Sequence, residues 1–213
     1  MWNMVYNTKS DISDQVRYNS RGYALINKPD SRLYQKVLKY LRPRPEDRIL
    51  EIGCGRGFLT KKLQFFSKFT VGIDINPEAI SAGVTQNLRT MDATKLEFPP
   101  ESFDKIYSCH TIEHIPNLEK LFQEIERVLK PRGKVLLVYP WEIVRGMGAI
   151  GASLIFFKHP FCCRKIHLHK LSPKKLKKII EDSQLKIIEN HFSLLRTPQY
   201  FTILEKLKKN EFD

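Results

Sequence analysis

Apolar positions recur at two periods along this chain, and the switches between them mark out a series of elements. From residue 31 to 41, Leu33, Val37, Leu38 and Leu41 fall on one helical face behind Asp30 as a cap, and the Pro43/Pro45 pair stops the run. Short apolar runs and helical stretches then take turns. Arg48–Ile52, Phe69–Asp74, Leu88–Met91 and Phe103–Cys109 read as strands. Helices are predicted over Gly57–Phe66 and from Pro77, a favourable first helical residue, to about Asn87. Asn117 is placed to cap a helix to Lys130, with Leu118, Leu121, Phe122, Ile125, Val128 and Leu129 on one face. Pro131-Arg132-Gly133 reads as a turn. Lys134–Tyr139 is nearly continuous in apolar residues, the pattern of a strand covered on both sides. A helix from Ser172-Pro173 to about Asp182 and strands over Leu185–Phe192 and Gln199–Leu204 complete the series, while residues 1–29 read as an irregular arm. This alternation predicts an α/β fold with a doubly wound sheet.

Composition narrows the picture. The 213 residues are 42% hydrophobic and 11% aromatic, enough for a packed core, and four cysteines are too few for a disulfide framework. The opening MWNMVYNTKSD has no apolar signal core, and the longest uncharged apolar stretch, Gly146 to Phe157, is 12 residues where a spanning helix needs roughly 20. A cytoplasmic chain is therefore expected. The net charge of +13 is local: residues 141–180 hold nine Lys/Arg against the single acid Glu142, a net +8, and the rest of the chain carries +5. Such a concentration calls for an anionic partner: nucleic acid, lipid surface or substrate.

The candidate chemistry starts at Glu51-Ile52-Gly53-Cys54-Gly55-Arg56-Gly57, between a strand and a helix. Glycines there allow a sharp turn and a close approach of ligand to backbone, and the helix start supplies unpaired N–H groups. The spacing is G-x-G-x-G, unlike dinucleotide or phosphate loops. Asp74 ends the next strand 17 residues after Gly57, where a carboxylate can accept from both ribose hydroxyls, and Asp92 follows the third strand, placed for an adenine amino group. The alternative is a tight turn with two solvated acids.

With these residues in order, the chain resembles the class I S-adenosylmethionine-dependent methyltransferases from about Arg48 to Val138. The resemblance rests on ILEIGCGRG, VGIDIN, MDATKLEFPPESFDKIYS, HTIEHIPN and LKPRGKVLLV. It points to the small-molecule branch near the quinone and lipid methyltransferases. It implies a Rossmann-like, seven-stranded, mostly parallel sheet whose last strand is antiparallel, with S-adenosylmethionine over the carboxyl ends of the strands. Gly53 and Gly55 would line its methionine part with Glu51 nearby. Asp74 would hold the ribose, and Ile75 and Ala93 would flank the adenine beside Asp92. Cys109 and His110 would lie near the methionine moiety. An N-terminal aromatic lid is expected, with Tyr18 and Tyr23 as candidates. The implied layout is one domain: arm and helix over 1–45, cofactor-binding core over 46–140, a substrate-side insertion over 141–171, and a C-terminal helix and strands over 172–213.

Methyl transfer from a sulfonium is an in-line displacement, so the protein mainly positions donor and acceptor. A base is needed only where the acceptor must lose a proton, and His110 is the candidate, with a positioning or structural role as the alternative. S-C-H-T at the fourth strand is not the N-P-P-Y of amino-methylating DNA and glutamine enzymes. Cys109 reads as a core cysteine, Glu113-His114 as a frequent dipeptide of the family with a structural or hydrogen-bonding role, and Tyr139 and Trp141 as substrate-side residues. His167-x-His169 with Cys162-Cys163 fits no familiar zinc spacing, so no metal is expected. In the insertion, Ile150, Leu154, Ile155, Phe156 and Phe157 run directly into basic residues. That pattern suits a substrate lid, an amphipathic element docked on an anionic membrane surface, or, less well, a nucleic-acid contact. Three readings stay open: a methyltransferase for a small or lipid-like acceptor, an RNA methyltransferase using the basic patch, and a non-catalytic cofactor-binding interaction protein.

Overall fold

The computed structural model describes residues 31–144, 146–194 and 198–208, so the predicted arm, including Asp30, lies outside the described residues. The strands are β1 (Ile49–Ile52), β2 (Thr70–Asp74), β3 (Leu88–Thr90), β4 (Phe103–Cys109), β5 (Leu129–Pro140), β6 (Leu185–Ser193) and β7 (Gln199–Lys206). The helices are α1 (Ser31–Leu41), α2 (Phe58–Leu63), α3 (Pro77–Ser81), α4 (Leu118–Val128), α5 (Ile150–Phe157), α6 (Cys163–Ile166) and α7 (Pro173–Ile179). All seven strands form one sheet in the order β3-β2-β1-β4-β5-β7-β6. Strands β1 to β5 pair in parallel, and β7 runs antiparallel to both of its neighbours. This is the expected seven-stranded sheet with its last strand reversed.

Successive strand residues point to opposite faces, and the two faces build separate cores. Leu50, Ile73, Ile106, Val135 and Leu137 pack with Leu121, Phe122 and Ile125 of α4 and Leu176 of α7. Ile49, Tyr107, Leu136, Val138 and Phe201 face the other way, onto Val37 and Leu41 of α1 and Leu59 and Leu63 of α2. The apolar residues Ile49, Leu50 and Ile52 of β1 and the run Val135–Val138 of β5 follow from being covered on both sides. Asn76, Asn117 and Ser172 cap α3, α4 and α7 through side-chain oxygens that accept backbone N–H groups.

Several predicted limits differ, among them the helix Gly57–Phe66, which ends at Leu63, and the helix to Lys130, which ends at Val128. The helix from Pro77 stops at Ser81 instead of reaching Asn87. Gly83 follows, where an added Cβ would lie 2.5 Å from the Leu88 side chain and 2.8 Å from the Ile80 carbonyl, and Val84 N then donates to Arg56 O at 2.9 Å. Tertiary contact with the glycine loop thus replaces two more helical turns. Pro131-Arg132-Gly133 is a bulge within β5 and not a turn before it. Leu129 already pairs with Phe103, the register shifts before Lys134 meets Lys105, and Arg132 takes φ 64°. The helix predicted to Asp182 ends at Ile179.

One buried polar contact ties β1 to α2: Thr60 Oγ1 donates to Glu51 Oε2 at 2.5 Å, both residues being buried. Burial raises the Glu51 carboxyl to about 8, with Asp74 nearby adding to the rise and Thr60 opposing it. Between its ordinary value of 4.5 and about 8, the folded chain therefore keeps a proton that the unfolded chain has released. Stability from this group is complete below that window and is lost as pH rises through it. Replacing Glu51→Gln mimics the protonated acid. Thermal melts of variant and wild type should differ little at about pH 5 and diverge by several degrees in the variant's favour at about pH 9. An equal difference at both pH values would refute a protonated Glu51.

Candidate functional site

The parallel strands deliver several chain reversals to one edge of the sheet, at their carboxyl ends. After β1 the chain turns at once: Gly53 N and Cys54 N both donate to Ile73 O of β2, at 2.8 and 2.9 Å. Gly53 takes φ 75°, and a Cβ there would lie 2.1 Å from Thr111 Oγ1, so the turn is packed against the loop after β4. Gly55 takes φ 53° and a Cβ there would meet nothing within 4 Å. That open backbone suits the close approach of a ligand. Asp74, at the end of β2, accepts from Gly55 N at 2.7 Å through Oδ2 and from Asn76 N at 2.9 Å through Oδ1. Burial raises its carboxyl, and these backbone donors pull it back. Glu51 lies beneath the loop, bonded to Thr60, and is only 3% exposed.

Further along the same edge, Ile75 is 57% exposed directly after β2. Asp92 is exposed after β3, and its Oδ1 accepts from both Thr94 N and Thr94 Oγ1 at 2.8 Å. Ala93 beside it is half-buried against the core. The ends of β1, β2 and β3 thus place Gly53 and Gly55, Asp74 and Ile75, and Asp92 and Ala93 along one edge of the sheet. An exposed apolar face at Ile75 and the open backbone of Gly55 fit an adenosyl group with its methionine tail. Tyr18 and Tyr23 lie outside the described residues.

Cys109 ends β4. Burial pushes its thiol up to about 12, so it is no nucleophile near neutral pH. His110 follows with φ 49°, its N donating to Val138 O at 2.8 Å. Its ring spans two acceptors: Nε2 is 2.8 Å from Gln199 Oε1 and Nδ1 is 3.5 Å from Glu113 Oε1. Burial alone would depress His110, but Glu113 and Gln199 outweigh it and the pKa is raised. The Gln199 contact anchors the ring, and acting as a base through Nε2 requires releasing it.

The insertion is fastened to the loop after β4. Leu168 N and His169 N both donate to Glu113 O, at 2.9 and 3.1 Å, and His114 Nδ1 meets Ile166 O at 2.8 Å. His167 and His169 diverge: His167 Nδ1 bonds Glu142 Oε1 at 2.6 Å, while His169 Nε2 bonds Ile115 O at 2.9 Å. Glu142 Oε2 also accepts from Gly146 N at 2.9 Å. Gln199 and Glu142 were not visible in the sequence as site residues. Each stands alone in its segment, and only the sheet order brings it to this edge. Tyr139 corrects an expectation. It is fully buried, bonded through its hydroxyl to Thr202 Oγ1 at 2.8 Å, and belongs to the core; the half-buried Trp141 follows it. Helix α5 (IGASLIFF) carries no charged residue, and the exposed Lys158 follows it directly.

A cleft of about 320 Å³ opens at the opposite edge of the sheet, between Arg42, Asp47, Lys105 and Lys130. Two of its cations are matched by acids, Lys105 to Asp47 at 2.6 Å and Lys130 to Asp104 at 2.7 Å.

Comparison with known proteins agrees with this geometry. Residues 50–137 match the model of a methyltransferase domain family. A sterol 24-C-methyltransferase of Gibberella zeae is 32% identical over 109 residues, 46% of this chain and 28% of that one, so the chain spans under a third of this relative's length. A ubiquinone biosynthesis O-methyltransferase of Bartonella bacilliformis is 28% identical over 86% of this chain and 78% of its own. Among solved structures, a Haemonchus contortus phosphoethanolamine N-methyltransferase with bound phosphomonomethylethanolamine and S-adenosylhomocysteine superimposes with a TM-score of 0.68 at 17% identity, over 95% of this chain and 60% of that one. The glycine turn, the acids on successive strands and the reversed last strand thus accompany a match of residues 50–137 to a methyltransferase domain, in a chain similar to class I, S-adenosylmethionine-dependent methyltransferases.

Proposed function

We propose that this protein transfers a methyl group from S-adenosylmethionine to a small, lipid-like acceptor taken up at an anionic membrane surface. One observation carries the reading. The segment that leaves the carboxyl end of β5, on the same edge as the glycine loop, exposes Ile143, Val144, Met147, Ile150, Leu154 and Phe161 together. Lys158, Arg164, Lys165 and Lys170 are exposed in the same segment. Solvent-facing apolar side chains lose free energy only where they are covered, and cations beside them favour a negative interface. Each such cation contributes about 1 kcal/mol near an anionic surface, and each Å² of apolar area covered about 25 cal/mol. No helix among the described residues is long and apolar enough to cross a membrane, so docking would be peripheral. The sterol and ubiquinone names of two relatives support an acceptor of the same solubility class.

The chemistry asks little of the protein beyond placement. S-adenosylmethionine supplies an activated methyl group. In this reading Gly53 and Gly55 give its methionine part room, Asp74 accepts from the ribose, and Ile75 and Ala93 flank the adenine near Asp92. His110, anchored by Gln199, orients the acceptor at the mouth of the site. In-line geometry then supplies most of the rate.

Two measurements test this. Flotation should recover the protein with anionic vesicles at low salt, less so at high salt or with neutral vesicles. Labelled methyl groups should enter a total lipid extract in preference to total RNA. Phe161→Asp or Leu154→Asp should abolish flotation while leaving cofactor affinity intact. Label in RNA alone, or no retention on either vesicle type, would overturn the reading. For the cofactor, Gly55→Ala should weaken S-adenosylmethionine binding in calorimetry by at least ~10-fold, because the added methyl points into open space that the ligand would fill, and should also lower the melting temperature modestly, because φ 53° strains an alanine. Unchanged affinity would remove Gly55 from the site.

A further inference from the structure

Glu113 is 1% exposed, and neither of its carboxylate oxygens has a hydrogen-bond partner among the described residues. His110 Nδ1 lies 3.5 Å from its Oε1. A buried carboxyl group left without donors costs about 1–3 kcal/mol or more, so the arrangement calls for a partner. The side chains around it suggest which. His114 has Nδ1 against the Ile166 carbonyl, which commits that nitrogen as the donor and directs Nε2 toward Glu113, at 4.0 Å from Oε1. His167 has Nδ1 against the Glu142 carboxylate at 2.6 Å, which leaves Nε2 as the nitrogen it can offer a ligand. The two rings are 5.0 Å apart and inclined at 65°. One ligand atom from each of Glu113, His114 and His167 lies within 4.8 Å of the other two.

We propose that Glu113, His114 and His167 form a site for a borderline divalent transition ion, of Zn²⁺ type, which pins the 141–171 insertion to the loop after β4. Two imidazoles with one carboxylate suit such an ion and not Mg²⁺ or Ca²⁺, which prefer all-oxygen sets. Each histidine already has the supporting contact expected of a ligand: a carbonyl for His114 and a carboxylate for His167. These fix the tautomer and aim the other nitrogen. Bonds of about 2.0–2.1 Å in a tetrahedral shell place ligand atoms roughly 3.3 Å apart, so the cluster contracts slightly on binding. The site crosses between segments more than 50 residues apart in sequence, which is why no spacing motif announces it. It is independent of the membrane reading, since it concerns how the insertion is held and not what it touches.

The test uses tag-free full-length protein, stripped with a chelator and then titrated with Co²⁺ and Zn²⁺. Expected are one Co²⁺ per chain with a visible d–d absorption band, displacement of that band by Zn²⁺, a higher melting temperature, and slower amide exchange across residues 141–171. His167→Gln should abolish the band. Glu142→Gln, which leaves all three ligands in place, should weaken binding about 10–100-fold, and it carries the test if His167→Gln does not fold. Absence of stoichiometric Co²⁺ binding would overturn the proposal. So would binding that survives in both variants, that is lost on Cys162→Ser with Cys163→Ser, or that Mg²⁺ reproduces.

Discussion

The candidate site depends on the parallel pairing of β1 with both β2 and β4. Ile52 stands opposite Ile73 on one side and Ser108 on the other, so three strands end level. The chain reversals that follow them are therefore neighbours. The Ile73 carbonyl receives the N–H groups of both Gly53 and Cys54, and Asp74 receives Gly55 N. The acid that suits a ribose also fixes the loop that suits a methionine tail. A change of register by one residue would turn the β2 side chains to the opposite face and break both contacts. The same ordering explains the crowding at Gly53, where the chain after β4 passes so close that a side chain has no room.

The second fastening is at Glu113. Its backbone carbonyl receives two N–H groups from the insertion, and its side chain lies between His110, which reaches Gln199 at the start of β7, and His114, which reaches Ile166. A segment with little core of its own is thus held by polar contacts to a well-packed sheet. The small buried group Ala149, Cys163 and Ile166 is its only hydrophobic core among the described residues. The apolar side chains that this small core does not cover are the ones left facing solvent.

How much of this was legible in the sequence varies with how local the cause is. The strand Phe103–Cys109 and the helix Ser31–Leu41 match their predicted limits, because apolar run and apolar face were complete within each segment. The glycine turn and the positions of Asp74 and Asp92 were legible for the same reason. The helix from Pro77 was overextended because its end is set by Gly83 packing on Leu88 and by Val84 reaching Arg56, contacts that no local pattern carries. The bulge at Arg132 was misread as a turn because Pro and Gly signal both, and only pairing with Phe103 distinguishes them. Tyr139 was placed beside substrate from its position at the end of an apolar run. Its face of the sheet, and the Thr202 hydroxyl that satisfies it, come from the antiparallel neighbour β7.

The charge distribution is sharpened by the same geometry. In the sheet region basic residues meet acids: Arg127 with Glu124 at 2.7 Å, Lys130 with Asp104 at 2.7 Å, Arg132 with Glu205 at 2.9 Å. Paired charges on a sheet contribute little far-field potential. The insertion has a single acid, Glu142, which is buried and turned toward His167 and Gly146, so it does not offset the exposed cations on the same segment. A nucleic-acid surface would place its cations along a polar track with aromatic faces for bases. Here the exposed neighbours of the cations are mostly aliphatic: Ile143, Val144, Met147, Ile150 and Leu154. Aliphatic side chains gain nothing from phosphates and much from acyl chains. Under the proposed reading, the excess charge and the exposed apolar area have one cause, an interface that is negative at its surface and hydrocarbon beneath.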